Sequence, residues 1–349
     1  MSKPDDADRG SCRTGATTDL GGRKAVGRQG VHRWWLKLFV TALFLFVLFH
    51  LLDLSVASIF ARINDFRIIL IAGLLAVIVI PWIFVNRWSY ILRLSGIEER
   101  SLVLWGVTWR AMFLGLFLPG SQGADLFRIL FIERRHPGCR GVAGSTVVIE
   151  RMIGFVLLAL FALLALPFVY DGAQFRPVLV LVLAVNGGLW VFVLAIFLVR
   201  WRVPGAEGTG IVRLVGRAVR YLHRLHEAVK CFPYRRGLLP TVLWIAAFQI
   251  ALVTVVHLLF LAFEQPVPFV QNLLLFPLVA ILTVVPVTVG GFGVREGAFV
   301  FFYSLVGVPA EVAVGVSLAF YFLVIGIPAL LGGVLLFLDR GSPPAERHV

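Results

Sequence analysis

The 349-residue chain reads as an all-α polytopic membrane protein, with six full spans plus two re-entrant helical hairpins arranged as inverted-topology repeats. Three observations predict this. Hydrophobic residues make up 59% of the chain and charged ones 15%, with a mean hydropathy of +0.92, against about 45–50% and about 25% in soluble domains. The basic residues lie in blocks beside the apolar runs, where they orient helices. A polar motif of spacing P-x3-G-x4-R interrupts the apolar pattern twice, at Pro119–Arg128 and at Pro286–Arg295.

Residues 1–35 are rich in Gly, Arg, Asp, Ser and Thr with no apolar period, which predicts a disordered basic cytoplasmic tail. The first apolar run, Leu36–Leu52, has no small-residue cleavage site after it and is kept as a span. Further spans are expected at Ile68–Val85, Val142–Phe168, Pro177–Val199, Leu238–Phe263 and Val312–Leu338, each near the roughly 20 residues that cross a bilayer core.

Counting Lys and Arg fixes the orientation. The tail through Lys37 carries eight, 86–101 three (Arg87, Arg93, Arg100), 134–141 three (Arg134, Arg135, Arg140), 200–237 nine and the C-terminus two, whereas the other side holds only Arg62, Arg67 and Arg176. The heavy side is cytoplasmic, so both termini are expected inside a cytoplasmic membrane. Loops 86–101 and 134–141 are both basic although an apolar segment lies between them, so 102–133 should enter and leave by the cytoplasmic face, turning at Pro119–Gly123. By the same parity 269–308 should enter and leave by the opposite face, turning at Pro286–Gly293. Two repeats result, 36–168 and 177–338, joined by a basic amphipathic cytoplasmic linker at 200–237 and followed by a short cytoplasmic tail, 339–349. Within the linker, Ile211–Lys230 places its arginines on one face, fit either for the anionic leaflet or for packing on the protein. Inverted repeats with broken helices at the midplane are a transporter pattern; the plainer alternative is that Pro119 and Pro286 kink long helices for packing.

The net charge of +13 argues for membrane orientation rather than a nucleic-acid partner. Cys12, Cys139 and Cys231 have neither metal nor redox spacing, and no cofactor or metal is expected. Gly290-Gly-Phe-Gly293 follows no strand, so it is not a dinucleotide fingerprint, and no Walker A sequence is present. His257 is read as a packing residue and Glu98-Glu99 as solvated loop charges.

Four arginines remain at membrane depth, Arg110, Arg128, Arg151 and Arg295, with three acids, Asp125, Glu150 and Glu296. Intramembrane charges mark a substrate path or a counter-ion. In each hairpin the second half-helix starts beside glycines, Gly123 in one and Gly290, Gly291 and Gly293 in the other, so its N–H groups point into the break. With Arg128 and Arg295 about a turn further on, the two breaks are expected to form an anion site, most simply for a phosphate. Asp125, Glu150, Arg151, Glu296 and Arg110 are candidate members of it. Structural pairing is the alternative for Arg110, Glu150 and Asp125, with Arg128 or Arg110 the expected partner of Glu150 and Asp125 that of Arg151.

The Pro119-Gly-Ser-Gln-Gly-Ala-Asp-Leu-Phe-Arg128 stretch, the Val-Ile-Glu150-Arg151 span and the Pro286-Val-Thr-Val-Gly-Gly-Phe-Gly-Val-Arg-Glu296-Gly segment together resemble the lysylphosphatidylglycerol synthase transmembrane region, or flippase-like, family. That resemblance covers roughly residues 35–340 and implies movement of lipids across the bilayer, such as aminoacylated phosphatidylglycerol or polyprenyl-phosphate-linked sugars. The family's aminoacylation belongs to a separate soluble domain, which is expected to be missing here because the chain ends at Val349. The expected function is therefore translocation of an anionic lipid, with membrane lipids as partners and no enzyme activity. The alternatives are a membrane enzyme or subunit acting on a lipid-linked sugar phosphate, with Glu150 or Asp125 as general base, and a scaffold delivering lipid to a separate lipid-modifying enzyme.

Overall fold

A computed structural model describes residues 50, 65–116, 123–139, 141–169, 175–198, 223, 226, 227, 229, 230, 232–284 and 291–339. All regular structure among them is helical. Helix α1 runs Phe66–Leu74, passes through a π turn at Leu75–Val79 and continues as Ile80–Leu94. Then come α2 (Ser101–Leu116), α3 (Gly123–Arg135), α4 (Val142–Val169), α5 (Arg176–Leu198), α6 (Tyr234–Ala262), α7 (Phe269–Leu282) and α8 (Val294–Ser304). Helix α9 runs Ala310–Tyr321, through a second π turn at Phe322–Gly326, to Ile327–Asp339.

Five of these, α1, α4, α5, α6 and α9, are long and apolar enough to cross a membrane, while α2 and α7 are shorter apolar helices. The five fall on five of the six expected spans. The sixth, Leu36–Leu52, lies outside the described residues apart from His50, and so do both motif tips, with Pro119, Pro286 and Gly290. Large apolar side chains stay exposed along α1, α5 and α9, among them Phe66, Trp190 and Phe337. Water would penalise such a surface, whereas lipid tails are as apolar as the side chains themselves.

Helix α1 departs from the sequence reading at its inner end. It continues nine residues past Val85 to Leu94, so Arg87, counted above as a loop charge, is buried in the helix. Hydropathy ends a span at the first charge, but this charge has partners inside the protein. The nearby acid Glu99 is not solvated either: its carboxylate pairs with Arg135 at 2.5 Å and His136 at 2.9 Å. That contact joins the second residue before α2 to the residues that end and follow α3. At the other hairpin Tyr303, near the end of α8, donates to Asn272 near the start of α7 at 2.9 Å. Asn272 in turn bonds His257 at 3.3 Å and Val267 at 3.2 Å, so His257 belongs to a satisfied packing network.

The packing is crosswise. Helix α2 lies against the second half of α9, and α7 lies against α4, while α1 packs on α6 and each hairpin pairs its own two arms. The main core runs from Ala72 on α1 to Leu323 on α9, and a second cluster around Trp88 joins α1 to α2, α3 and α4. Close approach is extreme where α9 meets α2: a Cβ on Gly332 would stand 1.9 Å from the carbonyl oxygen of Trp109, and one on Gly333 would stand 2.9 Å from the Phe113 ring. Glycine here lets two backbones touch, a packing mode membrane helices use because lipid offers no hydrophobic drive for association. The linker Ile211–Lys230 lies mostly outside the described residues, but Val229 and Phe232 pack beside Ile91 and Ile149. Its last turn thus sits on the protein.

Gly332→Ala should therefore force α2 and α9 apart and cost about 1–3 kcal/mol. A lowered unfolding temperature in detergent, with no such change for Gly138→Ala, where added atoms meet open space, checks this.

Candidate functional site

Arg87 and six of the seven charges singled out in the sequence form two clusters. In the first they alternate: Arg87 pairs with Glu150, Glu150 lies 3.6 Å from Arg128, Arg128 bonds Asp125 at 2.5 Å, and Asp125 bonds Arg151 at 2.5 and 2.9 Å. Helices α1, α3 and α4 contribute one, two and two of these groups, so the ladder ties the second hairpin arm to both spans. Each step is a charge-assisted hydrogen bond or close ion pair, the arrangement that makes buried charge tolerable. Aromatic faces close the sides. The Arg128 guanidinium lies 4.5 Å from the Phe84 ring and 4.8 Å from Trp88, and that of Arg87 lies 4.4 Å from Phe248.

The second cluster sits where α8 begins. Gly291 and Gly293 have φ of +76° and +86°, which side chains with a Cβ rarely adopt, and they delay the helix until Val294. Arg295 is therefore the second residue of its half-helix, whereas Arg128 is the sixth of its own. The matched spacing in the sequence conceals this difference. Glu296 accepts from the Gly293 N–H at 2.5 Å, and its other oxygen holds Arg295 at 2.5 Å and Ser317 at 3.1 Å. The Arg295 guanidinium lies 4.3 Å from the Tyr321 ring. In both half-helices a carboxylate of the chain occupies the first turn, Asp125 in α3 and Glu296 in α8. The helix dipole thus already faces an anion of the chain itself.

Between the clusters lies a mostly apolar cavity of about 330 Å³. Asp125 and Arg151 line it from one side and Arg295 and Tyr321 from the other, with Phe84, Phe248 and Gln249 between. Arg151 keeps 42% of its side chain exposed, while Arg128 keeps 1%. Of the predicted anion-binding arginines, Arg295 and Arg151 reach the cavity. Arg128 stands behind Asp125 as its buried counter-ion, and Glu150, the buried counter-ion of Arg87 and Arg128, does not line the cavity either. Arg110 is half-buried on α2 with its guanidinium 3.8 Å from the Cβ position of Gly106, and it is not among the cavity residues. Gly123, the first residue of α3, is buried.

Sequence reasoning missed Arg87, Ser317 and Tyr321. Arg87 carried a signal, since Asn86-Arg87 sits between Val85 and Trp88 in a run with apolar periodicity on both sides. Ser317 and Tyr321 carried none.

Several spans that expose apolar surface outward and enclose ion pairs around an apolar cavity define an integral, multi-pass helical membrane protein. The chain belongs to the family described as the lysylphosphatidylglycerol synthase TM region, which it matches over residues 34–332. It is also similar to two archaeal UPF0104 membrane proteins. The one from Methanocaldococcus jannaschii is 20% identical over 75% of this chain and 82% of its own length. The one from Pyrococcus horikoshii is 24% identical over 79% of this chain and 88% of its own length. No solved structure matches the chain.

Glu150→Ala leaves Arg87 and the Glu150-facing side of Arg128 without a counter-charge and should cost about 3–5 kcal/mol. Thermal unfolding in detergent measures it, and replacing Arg87 by Met and Glu150 by Leu together should recover part of the loss.

Proposed function

We propose that the protein translocates an anionic lipid, a phospholipid or a polyprenyl-phosphate-linked lipid, between the leaflets of the cytoplasmic membrane. The observation that carries this reading is the cavity reached by Arg151 from one charge cluster and by Arg295 from the other. The two clusters comprise four arginines and three carboxylates, so they carry one positive charge more than negative, which a ligand can match. A phosphodiester carries one negative charge and accepts the bidentate hydrogen bonds that guanidinium groups offer.

The headgroup competes for arginines that are already paired. Its phosphate takes Arg151 from Asp125, which keeps Arg128, and takes Arg295 from Glu296, which keeps Ser317 and the Gly293 N–H. In the loaded state Asp125 thus keeps a counter-charge and Glu296 keeps two hydrogen-bond donors. At about 330 Å³ the cavity is at the small end for ligand sites, so a headgroup fits and the acyl chains stay in lipid.

The hairpins 102–133 and 269–308 are re-entrant in this reading, and the halves 36–168 and 177–338 are inverted repeats. The Glu99 contacts with Arg135 and His136, and the Asn272–Tyr303 bond, support it, because each joins the two ends of one hairpin. The exchange of α2 onto α9 and α7 onto α4 is what a pseudo-twofold axis requires. Rocking of one half against the other exposes the cavity to each leaflet in turn, with both termini cytoplasmic. Glu150 lies off the cavity, so a general base at that position has no access to a lipid-linked sugar.

Purified protein in liposomes should move a labelled anionic lipid between leaflets. Arg295→Ala and Arg151→Ala should each reduce the rate at least tenfold per molecule of folded protein reconstituted, whereas Arg128→Ala should lower folded yield. Unchanged rates in both cavity variants would remove the anion site. In a cysteine-free background, Pro137→Cys should label only from inside and Pro309→Cys only from outside.

A further inference from the structure

We infer that Gln249 is a ligand-binding residue of the cavity, whose amide hydrogen-bonds an uncharged, hydroxyl-bearing part of the headgroup beside the phosphate held by Arg151. This rests on the anion-site reading above. Three side-chain amides are buried among the described residues, Asn186, Gln249 and Asn272. Asn186 donates to the carbonyls of Ala159 and Val182, and Asn272 bonds Val267 and Tyr303. Gln249 is 8% exposed, and its side-chain amide makes no hydrogen bond among the described residues. Its neighbours in the cavity wall are Phe248 and Leu252, which offer none.

An amide brings two donors and one acceptor, and burying them unmatched is costly unless a partner arrives. The placement indicates which partner. The Gln249 amide nitrogen lies 3.6 Å from the position a Cβ would occupy on Gly154, which follows Arg151 by three residues on α4. Residues three apart share a helix face, so the amide lies one turn along from the guanidinium that lines the same cavity. A ligand whose phosphate rests on Arg151 therefore presents its next atoms to Gln249. A hydroxyl both donates and accepts, as the amide does, whereas a methyl group satisfies neither.

The probes are short-chain phosphatidylglycerol and short-chain phosphatidylmethanol, which share a phosphodiester and differ in hydroxyl groups. Affinity of the full chain in detergent is read from ligand-induced shifts in unfolding temperature. The unsubstituted chain should bind the hydroxylated probe about tenfold more tightly, the ratio one matched buried hydrogen bond supplies. Gln249→Leu should bring the ratio to about one with phosphatidylmethanol affinity unchanged, and Gln249→Met, which keeps the side-chain length, should repeat this if leucine disturbs folding. Arg295→Ala should weaken both probes alike. A ratio of one in the unsubstituted chain, or a ratio that survives both Gln249 substitutions, overturns the assignment and leaves the anion site standing. Binding of neither probe overturns the anion site itself, and Gln249 with it.

Discussion

A charge in hydrocarbon is tolerable only beside its opposite, and that constraint organises the molecule. Arg87, Glu150, Arg128, Asp125 and Arg151 satisfy it by alternating, each carboxylate held between two guanidiniums. Because the five come from three helices, satisfying the charges also fixes the helices. Helix α3 has only 13 residues, too few to cross a bilayer core by itself. Its position follows from Arg128 and Asp125.

The ladder has one open end. Four of its members are buried, but Arg151 faces the cavity, so a structural device becomes a recognition device at its last step. Arg295 has the same double life on the other side, tied to Glu296 and Ser317 while lining the cavity. Stability and ligand affinity thus draw on the same guanidiniums, and the inner members of the ladder set how strongly Asp125 contends for Arg151.

Much of this fold was legible because membrane solvation writes itself into composition. Long apolar runs at 142–168 and 312–338 could be little else, and α4 and α9 lie there. The pairing of Asp125 with Arg151 also followed from position along a helix. The role of Arg87 did not, because a run of hydropathy ends at a charge whether the charge is solvated or paired, and pairing depends on Glu150, 63 residues away. Arg128 and Arg295 looked equivalent by spacing. Two glycines of positive φ shift the start of α8, and a shift of a few residues decides whether a side chain faces a cavity or the core.

The π turn of α1 sets that facing for Arg87. Such a turn holds one residue more than an α-turn, and each residue advances the helix by about 100°. The outer part of α1, with Phe66 and Leu70 exposed to lipid, is thereby rotated relative to the inner part that buries Arg87 and Trp88. Were the same residues wound as an ordinary α-helix, the five of Leu75–Val79 would turn about a quarter-circle further and carry that guanidinium away from Glu150. The extra residue taken up by that turn is thus what lets one helix face hydrocarbon at one end and a buried carboxylate at the other.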